Sequence, residues 1–231
     1  MKKIFIVSAF VIAMNFLVSC AGTAPVREGD KGEEGAPLPV IKESDMAAEE
    51  QQAQAFALFN EILVLSQQDR RGNRDKVVEH YQKIITGYPD APIAQEGYLR
   101  LIDMYLKEFK PPEKAKALYL YKLFKERYPE SHLGDKVEKN IATSLYRNKD
   151  WEELVSFFKP HVNEFIKTGE LKSSLHMYLY SEAKYNLKDY KEAYKGYKIV
   201  IQYFPQSIDA KISEKRMVEI EKQLKQEKDQ E

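Results

Sequence analysis

The chain has 231 residues, 31% of them charged and 43% hydrophobic, the balance of a globular protein with enough apolar side chains for an ordinary core. Basic and acidic residues number 36 each, so composition offers no electrostatic case for a nucleic-acid partner, which calls for a basic domain or stripe. The single cysteine excludes an internal disulfide and any multi-thiol metal site.

At the N-terminus Lys2 and Lys3 precede an apolar run over 4–18 that only Ser8 and Asn15 interrupt. Basic residues followed by such a run read as a secretory leader, and the run is shorter than the ~20 apolar residues that span a bilayer. The leader ends in Leu17-Val18-Ser19-Cys20, which resembles a bacterial lipobox. That resemblance implies that residues 1–19 are a lipoprotein signal peptide and that Cys20 is lipidated, its thiol forming the thioether to diacylglycerol. Ala21, rather than Asp, follows the cysteine, which resembles Gram-negative lipoproteins sorted to the outer membrane. Loss of Lys2 and Lys3 with the leader would leave 34 basic against 36 acidic residues.

Residues 20–43 hold four glycines, three prolines and no aromatic residue. Such a segment cannot bury enough apolar surface to offset its conformational entropy and is expected to be a disordered tether. Its mean reach as a flexible chain is roughly 25–30 Å.

From Ser44 onward the pattern is helical, and it repeats. Tyr88-Pro89-Asp90, Tyr128-Pro129-Glu130 and Phe204-Pro205-Gln206 each end an amphipathic segment, with the prolines 40 and then 76 residues apart. The missing boundary falls near Phe165 and Ile166, where Gly169 supplies the break without a proline. Asp150-Trp151-Glu152-Glu153 and Asp189-Tyr190-Lys191-Glu192 lie 39 residues apart, each an Asp followed three residues later by a Glu, as in a capping box. Helices are predicted over 44–68, 73–87, 91–108, 113–127, 134–147, 150–167, 171–187, 190–204 and 208–228. Pro160 is expected to kink or break the sixth. The ninth has no partner helix; with Ile208, Ile212, Met217, Ile220 and Leu224 on one side and a polar tail, 207–231 reads as a capping segment.

In "YSEAKYNLKDYKEAYKGYKIVIQYFP" the residues Ser181, Leu187, Asp189, Tyr190, Ala193, Tyr197 and Pro205 resemble the tetratricopeptide repeat (TPR) pattern. Ser181 and Ala193 are small where two helices approach, and Tyr190 and Tyr197 fill the space that this leaves. Ala142, Asp150, Trp151, Leu154 and Phe158 repeat the pattern, as do Tyr105, Ala117, Tyr121 and Pro129 with a turn lengthened around Pro111 and Pro112. The earliest copy keeps Tyr81 and Pro89, with Val77 in place of Ala. The resemblance implies an all-α solenoid of about four helix pairs over 44–206 plus a C-terminal capping helix. It also implies a concave partner-binding groove lined by the first helix of each pair. Carried over, those positions are Lys139, Thr143, Tyr146 and Arg147 in the third repeat and Tyr178, Glu182, Tyr185 and Asn186 in the fourth.

Motifs for chemistry are lacking. His80, His132, His161 and His176 are isolated in sequence with no H-E-x-x-H spacing, so they read as surface or groove-edge residues and no metal is expected. No glycine-rich phosphate loop and no G-x-S-x-G element occurs. The fifteen tyrosines, all between Tyr81 and Tyr203, read mainly as helix-packing residues. No enzyme activity, cofactor or small-molecule substrate is expected.

Lipobox, tether and TPR array together resemble the BamD-like outer-membrane assembly lipoprotein family, most closely in "EHYQKIITGYPDAPIAQEGYLRLIDMYLK" over 79–107. This resemblance implies a non-catalytic scaffold, lipid-anchored in the outer membrane and facing the periplasm, that binds segments of envelope proteins such as β-barrel assembly components. Other readings left open are a pilotin-like helper for a secretin or pilus, a Tol-Pal, cell-division or peptidoglycan coordinator and, from a different class, a cell-wall hydrolase or its activator.

Overall fold

Three helix ends adopt one backbone conformation. Tyr88, Tyr128 and Phe204, the residues before Pro89, Pro129 and Pro205, have φ/ψ of −132/54°, −126/60° and −133/54°. A proline disfavours the helical region for the residue before it, so each helix stops there. Each of these residues donates its N–H to the carbonyl four back, of Ile84, Phe124 and Val200, and accepts from the N–H three on, of Ala91, Ser131 and Ser207. The same corner is thus built three times, at the spacing of the prolines.

The computed structural model describes residues 45–228. The leader, Cys20 and the tether expected over 20–43 lie outside the described residues. Among those described, all regular structure is helical: α1 (Ala48–Asp69), α2 (Arg74–Gly87), α3 (Pro92–Lys107), α4 (Lys114–Arg127), α5 (Gly134–Arg147), α6 (Trp151–Thr168), α7 (Ser174–Asn186), α8 (Tyr190–Tyr203) and α9 (Ile208–Lys228).

Each helix packs on the next. In addition the odd-numbered helices pack closely in series, α1 on α3, α3 on α5, α5 on α7 and α7 on α9, whereas the even-numbered helices keep their backbones farther apart and meet through long side chains, as Tyr121 of α4 meets Phe157 of α6 and Phe165 of α6 meets Tyr203 of α8. A row of helices in mutual contact backed by a row that is splayed apart makes a curved solenoid with the odd helices on its inner side. The fold is therefore a TPR-like α-solenoid of four helix pairs, and α9 takes the place that a fifth inner helix would occupy.

Between the helices of the third and fourth pairs the chain makes one further repeated turn. Lys149 and Lys188 have φ of 61° and 62°, and the following N–H groups, of Asp150 and Asp189, reach back to Leu145 and Lys184 carbonyls at 2.9 Å in both cases. This is the left-handed helix stop normally given to glycine. The α3–α4 turn is longer, as expected from Pro111 and Pro112, and the third pair ends at Gly169, whose φ of 74° is the left-handed geometry that suits a residue without a Cβ.

Two local expectations need correction. The Asp/Glu pairs do not form capping boxes. Asp189 accepts from the Glu192 N–H at 3.4 Å, but the Glu192 carboxylate turns to Lys195; Asp150 makes no cap and instead takes the Lys114 ammonium at 2.7 Å. An ammonium within reach offers a charge-assisted bond in place of a backbone one. Of the kink or break expected at Pro160, the break does not occur, since α6 runs through it as one helix. Pro160 and Ser156, whose carbonyl loses its donor, are both exposed, so water can take over that acceptor.

The core follows from the repeat chemistry. Tyr98, Tyr105, Tyr197, Phe124 and Phe158 are the largest fully buried side chains. Ala193 and Ser181 are buried where α7 meets α8, and a Cβ placed on Gly196 would stand only 2.0 Å from Ser181 Oγ, so small residues set the approach of these helices. Of the two tyrosines expected beside them, Tyr197 is buried and Tyr190 is half-buried. On α9 the packing face is Ala210, Ser213, Met217 and Ile220 rather than the full apolar set predicted. Ile208 is 76% exposed, because two residues of helix turn it about 200° from Ala210, and Leu224 is 40% exposed.

Candidate functional site

The third-repeat positions lie on α5, in the middle of the inner row. Lys139 and Arg147 are exposed, and Thr143 and Tyr146 are half-buried. Tyr146 is held by its surroundings: its ring meets Trp151 edge-on at 5.3 Å, and its hydroxyl donates to Glu182 Oε2 at 3.3 Å. α5 can thus present two cations and a threonine around a fixed aromatic ring.

The fourth-repeat positions are arranged differently, because α9 packs beside α7. Glu182 is not a groove residue: it is fully buried. Its carboxylate accepts from Tyr197 Oη at 2.6 Å and from Arg216 Nε and Nη2 at 2.9 and 3.2 Å, a two-pronged ion pair across the α7–α9 contact. The hydrogen bond to Glu182 raises the Arg216 pKa further, and burial, reinforced by the same carboxylate, raises that of Tyr197. Tyr185 lies under the Arg216 guanidinium, 4.7 Å from ring centre, and donates to Glu219 at 3.2 Å. Asn186 is exposed, with its amide on the Glu182 carbonyl, and Tyr178 is half-buried against Tyr197. Positions that would face a ligand in an open array are here largely used to dock the last helix.

Two of the histidines read as isolated are brought together. His161 of α6 and His176 of α7 converge on Glu138 of α5, which is 5% exposed. His161 Nε2 is 2.5 Å from Glu138 Oε1, His176 Nε2 is 3.7 Å from Oε2, and Tyr121 of α4 donates to Oε1 at 3.1 Å. Burial disfavours the charge on Glu138, but the hydrogen bond and charge of His161, with His176 and Tyr121, outweigh it, and its pKa lies below the ordinary value. Burial, then the neighbouring His161, lowers the His176 pKa and favours the neutral ring. The cluster lines a cavity of about 550 Å³ whose rim includes Lys125, Asp135, Glu164 and Lys172. Of the other two histidines, His80 is half-buried and paired with Glu61 at 2.8 Å, and His132 is exposed.

The three ligand-type residues are 23 and 15 positions apart, so no local motif marks them. The usable signal was the helical stripe: Glu138 shares its face of α5 with Ile141, Ala142 and Leu145, and Glu182 shares its face of α7 with Leu175, Tyr178 and Leu179. An acidic residue on a buried stripe must find partners.

Inner and outer rows of helices, repeated corners and small-residue contacts define a protein of the TPR-like solenoid class. The tetratricopeptide repeat family model matches residues 177–207, which cover most of α7, all of α8 and the corner at Pro205. The chain thus contains a tetratricopeptide repeat, and this class of repeat points to protein–protein interaction. No curated protein matches the chain.

Proposed function

We propose that the chain is a non-catalytic scaffold that holds an extended or helical segment of an envelope protein along its inner helix row. We further propose that it does so at the outer membrane, held by lipid on Cys20, in the assembly of outer-membrane proteins. The observation that carries the reading is the unbroken inner row, with Lys139, Thr143, Tyr146 and Arg147 on its central helix. A fixed tyrosine between exposed cations suits a peptide with acidic and apolar residues, since an aromatic anchor gives contact area at small entropic cost and charge fixes register. The lipobox resemblance at Leu17-Val18-Ser19-Cys20 supports the location.

The test uses the full chain carrying both Lys139→Glu and Arg147→Glu. Both sites are exposed, so stability should change by no more than about 0.5 kcal/mol. Co-purification of β-barrel assembly components should fall at least tenfold while the melting temperature holds. Unchanged recovery with the variant, or no such component with the wild type, would refute the reading. In the same cells Cys20→Ala should leave the membrane fraction and lose palmitate label.

A further inference from the structure

We propose that Glu138, His161 and His176 form a binding site for a divalent transition-metal ion of the zinc type, joining the third repeat to the fourth. Three consecutive helices each supply one ligand: α5 a carboxylate, α6 and α7 an imidazole Nε2. All three ligand atoms lie within 4.8 Å of one another. Around a tetrahedral ion with bonds of about 2.1 Å, ligand atoms stand about 3.4 Å apart. The two rings approach different oxygens of the one carboxylate, and the 3.7 Å between His176 Nε2 and Glu138 Oε2 is already close to that value. The 2.5 Å between His161 Nε2 and Glu138 is a hydrogen bond that would open by about 1 Å as an ion replaces its proton.

The surroundings are those of a prepared site. The His176 ring stacks on Phe158 at 5.3 Å with an interplanar angle of 28°, which fixes the direction of its nitrogen. Tyr121 donates to Glu138 from outside the cluster, the position of an outer hydrogen bond that orients a ligating carboxylate. Two imidazoles and one carboxylate suit zinc or its neighbours better than calcium or magnesium, which prefer oxygen alone. Three protein ligands facing a cavity of about 550 Å³ leave a coordination position open to water or to a donor from a bound partner. Asp135 and Glu164 on the cavity wall add negative charge near that opening, opposed by Lys125, Lys139 and Lys172. An ion there would cross-link α5, α6 and α7 and so stiffen the curvature of the array at its centre.

The experiment is equilibrium dialysis of Zn²⁺ against the full-length chain, purified in detergent and stripped with a chelator, with Co²⁺ absorption as a second readout. The wild type should bind one ion, show the visible bands of four- or five-coordinate Co²⁺, and melt at a higher temperature with Zn²⁺ than without. His161→Asn and His176→Asn should each weaken binding at least 100-fold, while His80→Asn, at the separate pair with Glu61, should not. His176→Cys keeps a zinc ligand on the same turn of α7, with its sulfur nearer the backbone, and should bind more weakly than the wild type while adding an intense thiolate band to the Co²⁺ spectrum, a result that a folding defect cannot produce. Wild-type affinity no greater than that of the His161→Asn, His176→Asn double variant, or a Co²⁺ spectrum unaltered in His176→Cys, would overturn the proposal.

Discussion

Arg216→Ala is expected to destabilise the chain by about 3 kcal/mol, the lower end of the cost of breaking a buried ion pair. At roughly 2–4 °C per kcal/mol for a domain of this size, the melting temperature should fall by about 6–12 °C. The reason is asymmetric burial: Arg216 keeps 29% of its side-chain surface, whereas Glu182 keeps none and would be left buried without its counter-ion. The cost therefore resides in the stranded carboxylate. Combining Arg216→Ala with Glu182→Gln should recover about half of the loss, because an amide oxygen still accepts from Tyr197. Arg216→Lys should lose most of the stabilisation, since an ammonium cannot make the paired Nε and Nη2 bonds. In a repeat array an end helix can fray without the rest, so hydrogen exchange in α9 and α8 should accelerate first. A change below about 0.5 kcal/mol, the scale of an exposed pair, would contradict the geometry.

Phe124→Ala is the second large effect, at about 3–5 kcal/mol. Phe124 is fully buried on α4, with ring centroids 5.7 Å from Tyr98 and 5.6 Å from Tyr128; Tyr98 and Tyr128 are 5.9 Å apart. This three-ring cluster ties α3, α4 and the corner at Pro129, and the Tyr128 hydroxyl also donates to the Pro89 carbonyl of the preceding corner. Truncating the central ring leaves a cavity that two flanking tyrosines on separate elements cannot close together. Phe124→Leu, nearer in volume, should cost less than about 1.5 kcal/mol. Unlike Arg216, Phe124 lies well inside the array, so exchange should accelerate in α3 to α5 together. Chemical denaturation of the two phenylalanine variants, with exchange read by peptide, checks both the size and the spread.

These two residues also mark what the sequence made legible. Phe124 belongs to a pattern written locally: an apolar stripe ending in Tyr128-Pro129, repeated at Tyr88-Pro89 and Phe204-Pro205, where proline chemistry alone stops the helix. The left-handed stop at Gly169 was readable for the same reason. Arg216 pairing with Glu182 was not, since the resemblance that placed Glu182 in a groove assumes an open array, and only the docking of α9 on α7 closes it. His161 and His176 were missed because each sits alone in its own helix, and convergence on Glu138 is a property of how α5, α6 and α7 pack. The capping boxes failed at Asp150 for a similar cause, as Lys114 comes from the previous repeat. Local rules thus described each helix and its end, and contacts between elements distant in sequence decided the polar sites.

The proposed seat of a bound protein segment is the inner face of α5. The direct measurement is in-cell crosslinking from a photoreactive residue placed at Thr143, on the inner row, and separately at Lys122, exposed on α4 of the outer row. A defined set of envelope-protein adducts is expected from position 143, absent from position 122 and lost when Lys139→Glu and Arg147→Glu are added. The same adducts from both positions, or none from 143, would contradict that placement.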